Sequence, residues 1–320
     1  VNLNKDENGE QKADPLVKRI TGLPGEQLVM QDGVLYVRTK ESDDFIPSEI
    51  DKKYATWNLN AVNPKLKGKI QYFPFSGAED EKMLDFEEER RNYDLNVAEY
   101  NAQELVRKFN SVVYKDNLTG SFSIKNYSEY DMFKNVQNIT FNLLGQNGGA
   151  QWFSDFMTSW IPSKDNSRDY YSESNYKLNV MTKITFGKII VRYAQLLTQG
   201  VSAAEWKDDK ELYDYYEDAE TLNWYIQMLL DERNMPLFPA NDEAGNPQYI
   251  PKNCYFMMGD NRFNSLDLRH SNDIALAPLT SDDPMSVEYY SNMQPQYINK
   301  KYIIGKPAFR FWPAGRMGKV

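Results

Sequence analysis

The chain has one cysteine and one histidine in 320 residues. A lone Cys254 excludes an internal disulfide, and one Cys with one His leaves out the usual zinc donor sets, so neither a metal nor a cofactor is expected. A Ser-His-Asp triad would depend wholly on His270, which reads instead as a solvated loop histidine. Basic residues are in deficit, with 37 Lys and Arg against 46 Asp and Glu and a formal charge of -9. That balance excludes nucleic acid as the main partner, because phosphate binding needs a basic surface. No run of about 18 apolar residues is present to span a membrane, and no signal-peptide pattern opens the chain. Residues 1–17 contain no serine.

What is present points to a packed fold. Aromatics make up 14% of the chain, and its length suits two domains. Residues 1–14 are polar and read as an arm. Residues 15–38 read as strands joined by tight turns, with an Asp32-Gly33 hairpin signal. Glu79–Lys108 reads as helix, Asp116–Phe141 as strands, and Phe186–Gln199 as a helix stopped by Gly200. Ser202–Asn234 reads as amphipathic helix. Asn241–Pro247 is a loop, and strand patterns return from Tyr249. The reading is α+β: a mostly antiparallel β-core from residues 1–38 and 249–320, with a large, partly helical domain inserted at 39–248.

Two polar stretches stand out. In the first, Lys18-Arg19-Ile20-x-Gly22-x-Pro24-Gly25, a strand leads into a Gly-x-Pro-Gly turn. Alternation along the strand puts Lys18 and Arg19 on opposite faces, with apolar Leu16, Val17 and Ile20 around the lysine. The second is Gly259-Asp260-Asn261-Arg262-x-x-Ser265-x-Asp267-x-Arg269, which follows the apolar run Tyr255–Met258. So many polar groups at two- or three-residue spacing suggest a hydrogen-bonded network that positions something.

The two stretches, with the ending Ile304-Gly305-Lys306-Pro307-Ala308-Phe309-Arg310-Phe311-Trp312-Pro313, resemble bacterial type I signal peptidases, serine proteases with a Ser-Lys dyad. The first is similar to the family's lysine box and the second to its last box. The resemblance implies that Lys18 is the general base, a role that requires a neutral amine and hence burial. It makes Ser265 the hydroxyl that orients that amine. Gly259 would lie close to the lysine, where a side chain would intrude. Asp260 would pair with Arg19, and Asp267 with Arg269, to hold the site's shape. The backbone of Asp14, Pro15, Leu16 and Val17 would receive the substrate strand. The implied partners are preprotein signal peptides and, through an anchor, the membrane surface. The implied place is the outer face of the bacterial cytoplasmic membrane.

The chain departs from the family's pattern at several points. Leu268 stands where the family has a small polar residue, and Asn272 where it has Gly. The family's nucleophile lies in a Ser-Met-x-Pro-Thr-like box upstream of the lysine, and Ser291-Asn292-Met293-Gln294-Pro295 is a look-alike in the wrong order. The expectation is a soluble piece of a longer tethered peptidase, inactive as it stands. The alternative is a non-catalytic, peptidase-like binding protein whose interaction domain is the insertion. Taken singly, Lys18 reads as a surface lysine, Ser265 as a turn hydroxyl, and Asp260, Arg262, Asp267 and Arg269 as surface ion pairs.

Overall fold

The computed structural model describes residues 16–55, 88–112, 118–121, 136–161, 170–201, 208–262, 265–310 and 317–319. Among them, those within 1–70, 230–272 and 293–320 form one compact unit, and those within 71–229 and 273–292 form a second. Helices and mostly antiparallel sheets make up the elements, as in an α+β chain.

The first unit is built on sheets. Strands β1 (Arg19–Gly22), β2 (Glu26–Gln31), β3 (Val34–Thr39) and β4 (Ser42–Pro47) follow one another, and a short helix α1 (Glu49–Tyr54) closes the series. The turn between β1 and β2 has Pro24 at its second place and Gly25 at its third. Gly25 has φ +87°, and Glu26 N donates to Leu23 O at 3.1 Å, the arrangement of a type II turn. Between β2 and β3, Asp32 and Gly33 both take positive φ, 49° and 83°, so a two-residue turn pairs Gln31 with Val34.

Later strands complete the unit: β7 (Met235–Phe238), β8 (Cys254–Met258) and β11 (Ile298–Asn299). One sheet runs β4-β3-β2-β7 and another β1-β8-β11. Alternation on β2 and β8 buries Leu28, Met30, Cys254, Phe256 and Met258, which pack with Leu35, Met235 and Ile250. Strands β4 and β7 lie inside residues 39–248, yet they pair within this sheet. Strand β4 opens with Ser42, Asp43 and Asp44 and is mostly exposed, so no apolar pattern marks its pairing past residue 38.

The second unit is mainly helical: α2 (Leu95–Val112), α3 (Val136–Gly145), α4 (Gly149–Thr158), α5 (Tyr170–Thr198) and α6 (Lys210–Gln227). Helix α3 corrects the strand reading of Asp116–Phe141. Leu118–Ser121 is a strand (β5, paired with β6, Gln146–Asn147), but Val136, Ile139, Thr140, Leu143 and Leu144 are buried at helical spacing. Helix α5 stops as expected at Gly200, φ +76°, with Val201 N donating to Leu196 O. The polar stretch after Arg269 forms two paired strands, β9 (His270–Pro278) and β10 (Glu288–Met293). Ser291 is a buried residue of β10. Of the closing strand, Phe309 is exposed, whereas Phe311 and Trp312 lie outside the described residues.

Within the second unit Lys183 and Asp283 form an ion pair with no exposed side-chain surface. Asp283 also accepts from Asn179 Nδ2 at 2.8 Å and Ser159 Oγ at 2.7 Å, while Lys183 Nζ donates to Phe156 O at 2.9 Å. Lys183→Met is expected to cost roughly 3–5 kcal/mol, because it leaves a buried carboxylate without its cation. Lys183→Met with Asp283→Asn is expected to recover most of that loss. Urea unfolding of the three proteins measures both differences.

Candidate active site

Register brings the two stretches together. Strands β1 and β8 are antiparallel, with Arg19 opposite Met258 and Ile20 opposite Met257. One step beyond the pairing, Lys18 faces Gly259. Lys18 Nζ lies 2.7 Å from Ser265 Oγ, across 247 positions of sequence. A Cβ at Gly259 would stand 2.0 Å from Ser265 Oγ, 2.6 Å from Ser265 Cβ and 3.6 Å from Lys18 Nζ. Residue 259 therefore has to be glycine for the pair to form, and the side chain it spares first is the serine's.

Lys18 is half-buried, and burial draws its amine below the ordinary lysine value. The negative charge of Asp267 opposes that shift, and the positive charge of Arg269 adds to it. The apolar cover is not the one expected. Leu16 and Val17 are 58% and 81% exposed, so neither encloses the amine. Both precede β1 and lie on the way into the site. Their expected neighbours Asp14 and Pro15 lie outside the described residues.

Arg19 meets Asp260 in a two-point fork, Nε to Oδ1 at 2.7 Å and Nη2 to Oδ2 at 2.8 Å, and its guanidinium stacks 3.5 Å from the centre of the Tyr54 ring. The side chains are 31% and 43% exposed, so this fork is a partly buried outer brace. Burial is instead complete for Arg262 and Arg269, which corrects their reading as surface charges.

Arg269 Nε donates to Asp267 Oδ1 at 2.9 Å and Nη2 to Oδ2 at 3.1 Å. Its other donors reach Glu232 O at 2.6 Å and Arg262 O at 3.2 Å. Asp267 also accepts from Gly259 N at 2.9 Å. Burial alone would raise the Asp267 carboxyl, but Arg269 and these N–H donors outweigh it and hold the group below its ordinary value. Arg262 Nη1 pairs with Asp51 at 2.6 Å, and its Nε donates to Gly259 O at 2.9 Å.

Three members of this network escaped the sequence reading. Asp51 sits in the first turn of α1, where its N–H is capped by Ser48 Oγ, and nothing in the sequence links it to Arg262. Glu232 belongs to a π-helical turn, Met228–Glu232. His270, expected in solvent, is buried, and its Nε2 donates to Asp231 O at 2.7 Å. Burial lowers its tendency to protonate, and the neighbouring Arg269 adds to that effect. Among the described residues no cluster of His, Cys, Asp and Glu could hold a metal ion.

Residues 188–312 match the family model of signal peptidases, peptidase S26. Over that stretch the chain is similar to signal peptidases. The match includes Gly259, Asp260, Ser265, Asp267 and Arg269 and ends short of Lys18 and Arg19, which the structure joins to it. No curated protein and no solved structure matches the chain. The match supports a function of the signal-peptidase type in general. Among the described residues no helix is long and apolar enough to cross a membrane.

The two ion pairs are expected to differ in their effect on this signal peptidase-like unit. Asp267→Asn should cost roughly 3–5 kcal/mol at neutral pH, since it strands a fully buried guanidinium. Asp260→Ala should cost about 1 kcal/mol or less, because its fork is open to solvent and screened. The Asp267 carboxyl titrates lower in the folded than in the unfolded chain. Its contribution is therefore complete above the ordinary value of 3.8 and is lost as the pH falls through the folded value. Chemical denaturation of both variants at pH 7 and in acid measures the contrast.

Proposed function

We propose that the chain carries the base and its orienting hydroxyl of a Ser-Lys endopeptidase that removes signal peptides at the outer face of the bacterial cytoplasmic membrane. Lys18 is the general base, Ser265 orients its amine, and Arg19, Gly259, Asp260, Asp267 and Arg269 hold the geometry. The observation that carries this reading is the 2.7 Å approach of Lys18 Nζ to Ser265 Oγ beside a glycine no other residue could replace. A lysine takes a proton from a serine only when its own amine is neutral, and the lowered Lys18 value moves it in that direction.

The substrate strand adds to β1, which stands at the end of its sheet among the described residues and is preceded by exposed Leu16 and Val17. The nucleophile is not among residues 1–17, which lack serine. In this reading, residues 1–320 alone leave a signal-peptide substrate uncut, and joining a segment with an anchor and a Ser-Met-x-Pro-Thr box ahead of Val1 produces cleavage. A joined protein that binds the peptide without cutting it would favour the alternative, a peptidase-like binding protein. Cleavage by residues 1–320 that disappears in Ser291→Ala would place the nucleophile elsewhere.

Lys18→Met separates catalysis from folding. The Lys18 amine titrates lower in the folded chain than the ordinary 10.5, so folding disfavours its proton. That cost is full below the folded value and vanishes as the pH rises toward 10.5. Lys18→Met in the joined protein is expected to abolish cleavage while melting no lower than the parent at pH 7. Its thermal advantage should close as the pH approaches 10.5. A melting temperature well below the parent's would mean that Lys18 has a structural role instead.

A further inference from the structure

Behind Lys18 and Ser265, the Arg269 guanidinium faces two carboxyl groups. Asp267 takes two hydrogen bonds from it. Glu232 Oε2 lies 3.4 Å from Nη2, while the backbone O of the same glutamate accepts from Nη1 at 2.6 Å. Glu232 Oε2 is buried and makes no hydrogen bond, an unusual state for a charged oxygen. The groups that face this carboxyl are Arg269, Asp267, Asp231 on its own turn, and His270, whose Nε2 is 4.0 Å from Oε1. Nothing in the sequence singles out Glu232, and the proposed roles leave it unused.

We infer that Glu232 is a positioning residue for the Lys18–Ser265 pair: by sharing the Arg269 guanidinium with Asp267, its charge state modulates the basicity that burial gives Lys18. The inference deepens the reading of Lys18 as the base. Two states follow from charge balance. With Glu232 neutral, Asp267 alone balances Arg269. With Glu232 ionised, the network gains a negative charge, the pull of Arg269 against a protonated Lys18 weakens, and the ammonium form is favoured. Burial pushes the Glu232 carboxyl up to about 8, with Arg269 opposing, so the exchange falls where a lysine base would be working. Rising pH then has two opposed effects on Lys18. It removes the proton directly, and through Glu232 it makes that proton harder to remove.

Lysine methyl groups introduced by reductive 13C-methylation report the titration of residues 1–320 by NMR, with the Lys18 signal assigned by its loss in Lys18→Met. Glu232→Gln is expected to lower the Lys18 midpoint by roughly half a unit or more, whereas Glu232→Asp, which keeps the charge, should move it less. Coupling is reciprocal, so Lys18→Met should raise the Glu232 carboxyl midpoint by the same amount, read from 13C-labelled glutamate. That second arm does not depend on the folding of a Glu232 variant. A Lys18 midpoint lowered in the parent but unmoved by Glu232→Gln, with Glu232 unmoved by Lys18→Met, overturns the inference. A parent Lys18 that titrates at the ordinary 10.5 would overturn the base reading instead, and the reciprocal arm would still decide the coupling.

Discussion

The buried guanidinium of Arg269 is the constraint on which the site rests. An isolated charge with no exposed surface would cost several kcal/mol, so every donor of Arg269 must find an acceptor. Asp267 supplies the countercharge, and the carbonyls of Glu232 and Arg262 supply the rest. Each demand fixes another piece of chain. Binding Arg262 O closes the turn that begins at Gly259. Asp267, oriented by Arg269, receives Gly259 N and so fixes the residue that faces Lys18. Ser265 lies between these anchors, and its hydroxyl position is a consequence of theirs.

The parts of the structure legible in sequence are those encoded by neighbours along the chain. The turn at Pro24-Gly25, the hairpin at Asp32-Gly33 and the helix stop at Gly200 each follow from a residue that tolerates, or imposes, a particular φ. The pairing of Arg19 with Asp260 and of Asp267 with Arg269 was also within reach, but only because the two boxes resemble a family's boxes. Burial was not legible. Nothing local distinguishes the half-exposed Arg19 from the fully enclosed Arg262 and Arg269, because enclosure depends on Asp51 and the 228–232 turn. The same holds for His270, whose neighbours in sequence suit a loop while its burial comes with packing against the carbonyl of Asp231. In Val136–Gly145, Thr and Phe favour a strand, while burial spaced at three and four residues decides for helix.

The strand register explains how residues so distant in sequence can share a site without a scaffold of their own. Pairing β1 with β8 is backbone work, and it is local once the two strands meet. The register alone sets Lys18 opposite Gly259. A shift of one residue would turn Lys18 away from the serine and put Arg19 in its place. Phe256 and Met258 on β8 are fully buried, so such a slip would expose core side chains. Gly22 strengthens the lock: a Cβ there would press within 2.8 Å of Phe256 Cβ and 2.7 Å of Leu28 Cδ1. The hydrophobic core thus holds the polar pair in register.

Charge and burial divide the work within the site. The outer fork of Arg19 and Asp260 is screened and adds little to stability, but as a bidentate contact stacked on Tyr54 it fixes direction. The inner pair of Arg269 and Asp267 is unscreened, so both of its charges act on Lys18, in opposite senses. Because they oppose each other, neither dominates, and desolvation remains the largest influence on the amine. An amine whose basicity is set mainly by desolvation responds to whatever covers it. Leu16 and Val17 leave that cover open in the chain as it stands. A peptide laid along β1 would exclude water from the amine and make its neutral form easier to reach. In the proposed reading, the same exposed approach that leaves Lys18 half-wet would couple its basicity to occupancy of the strand edge.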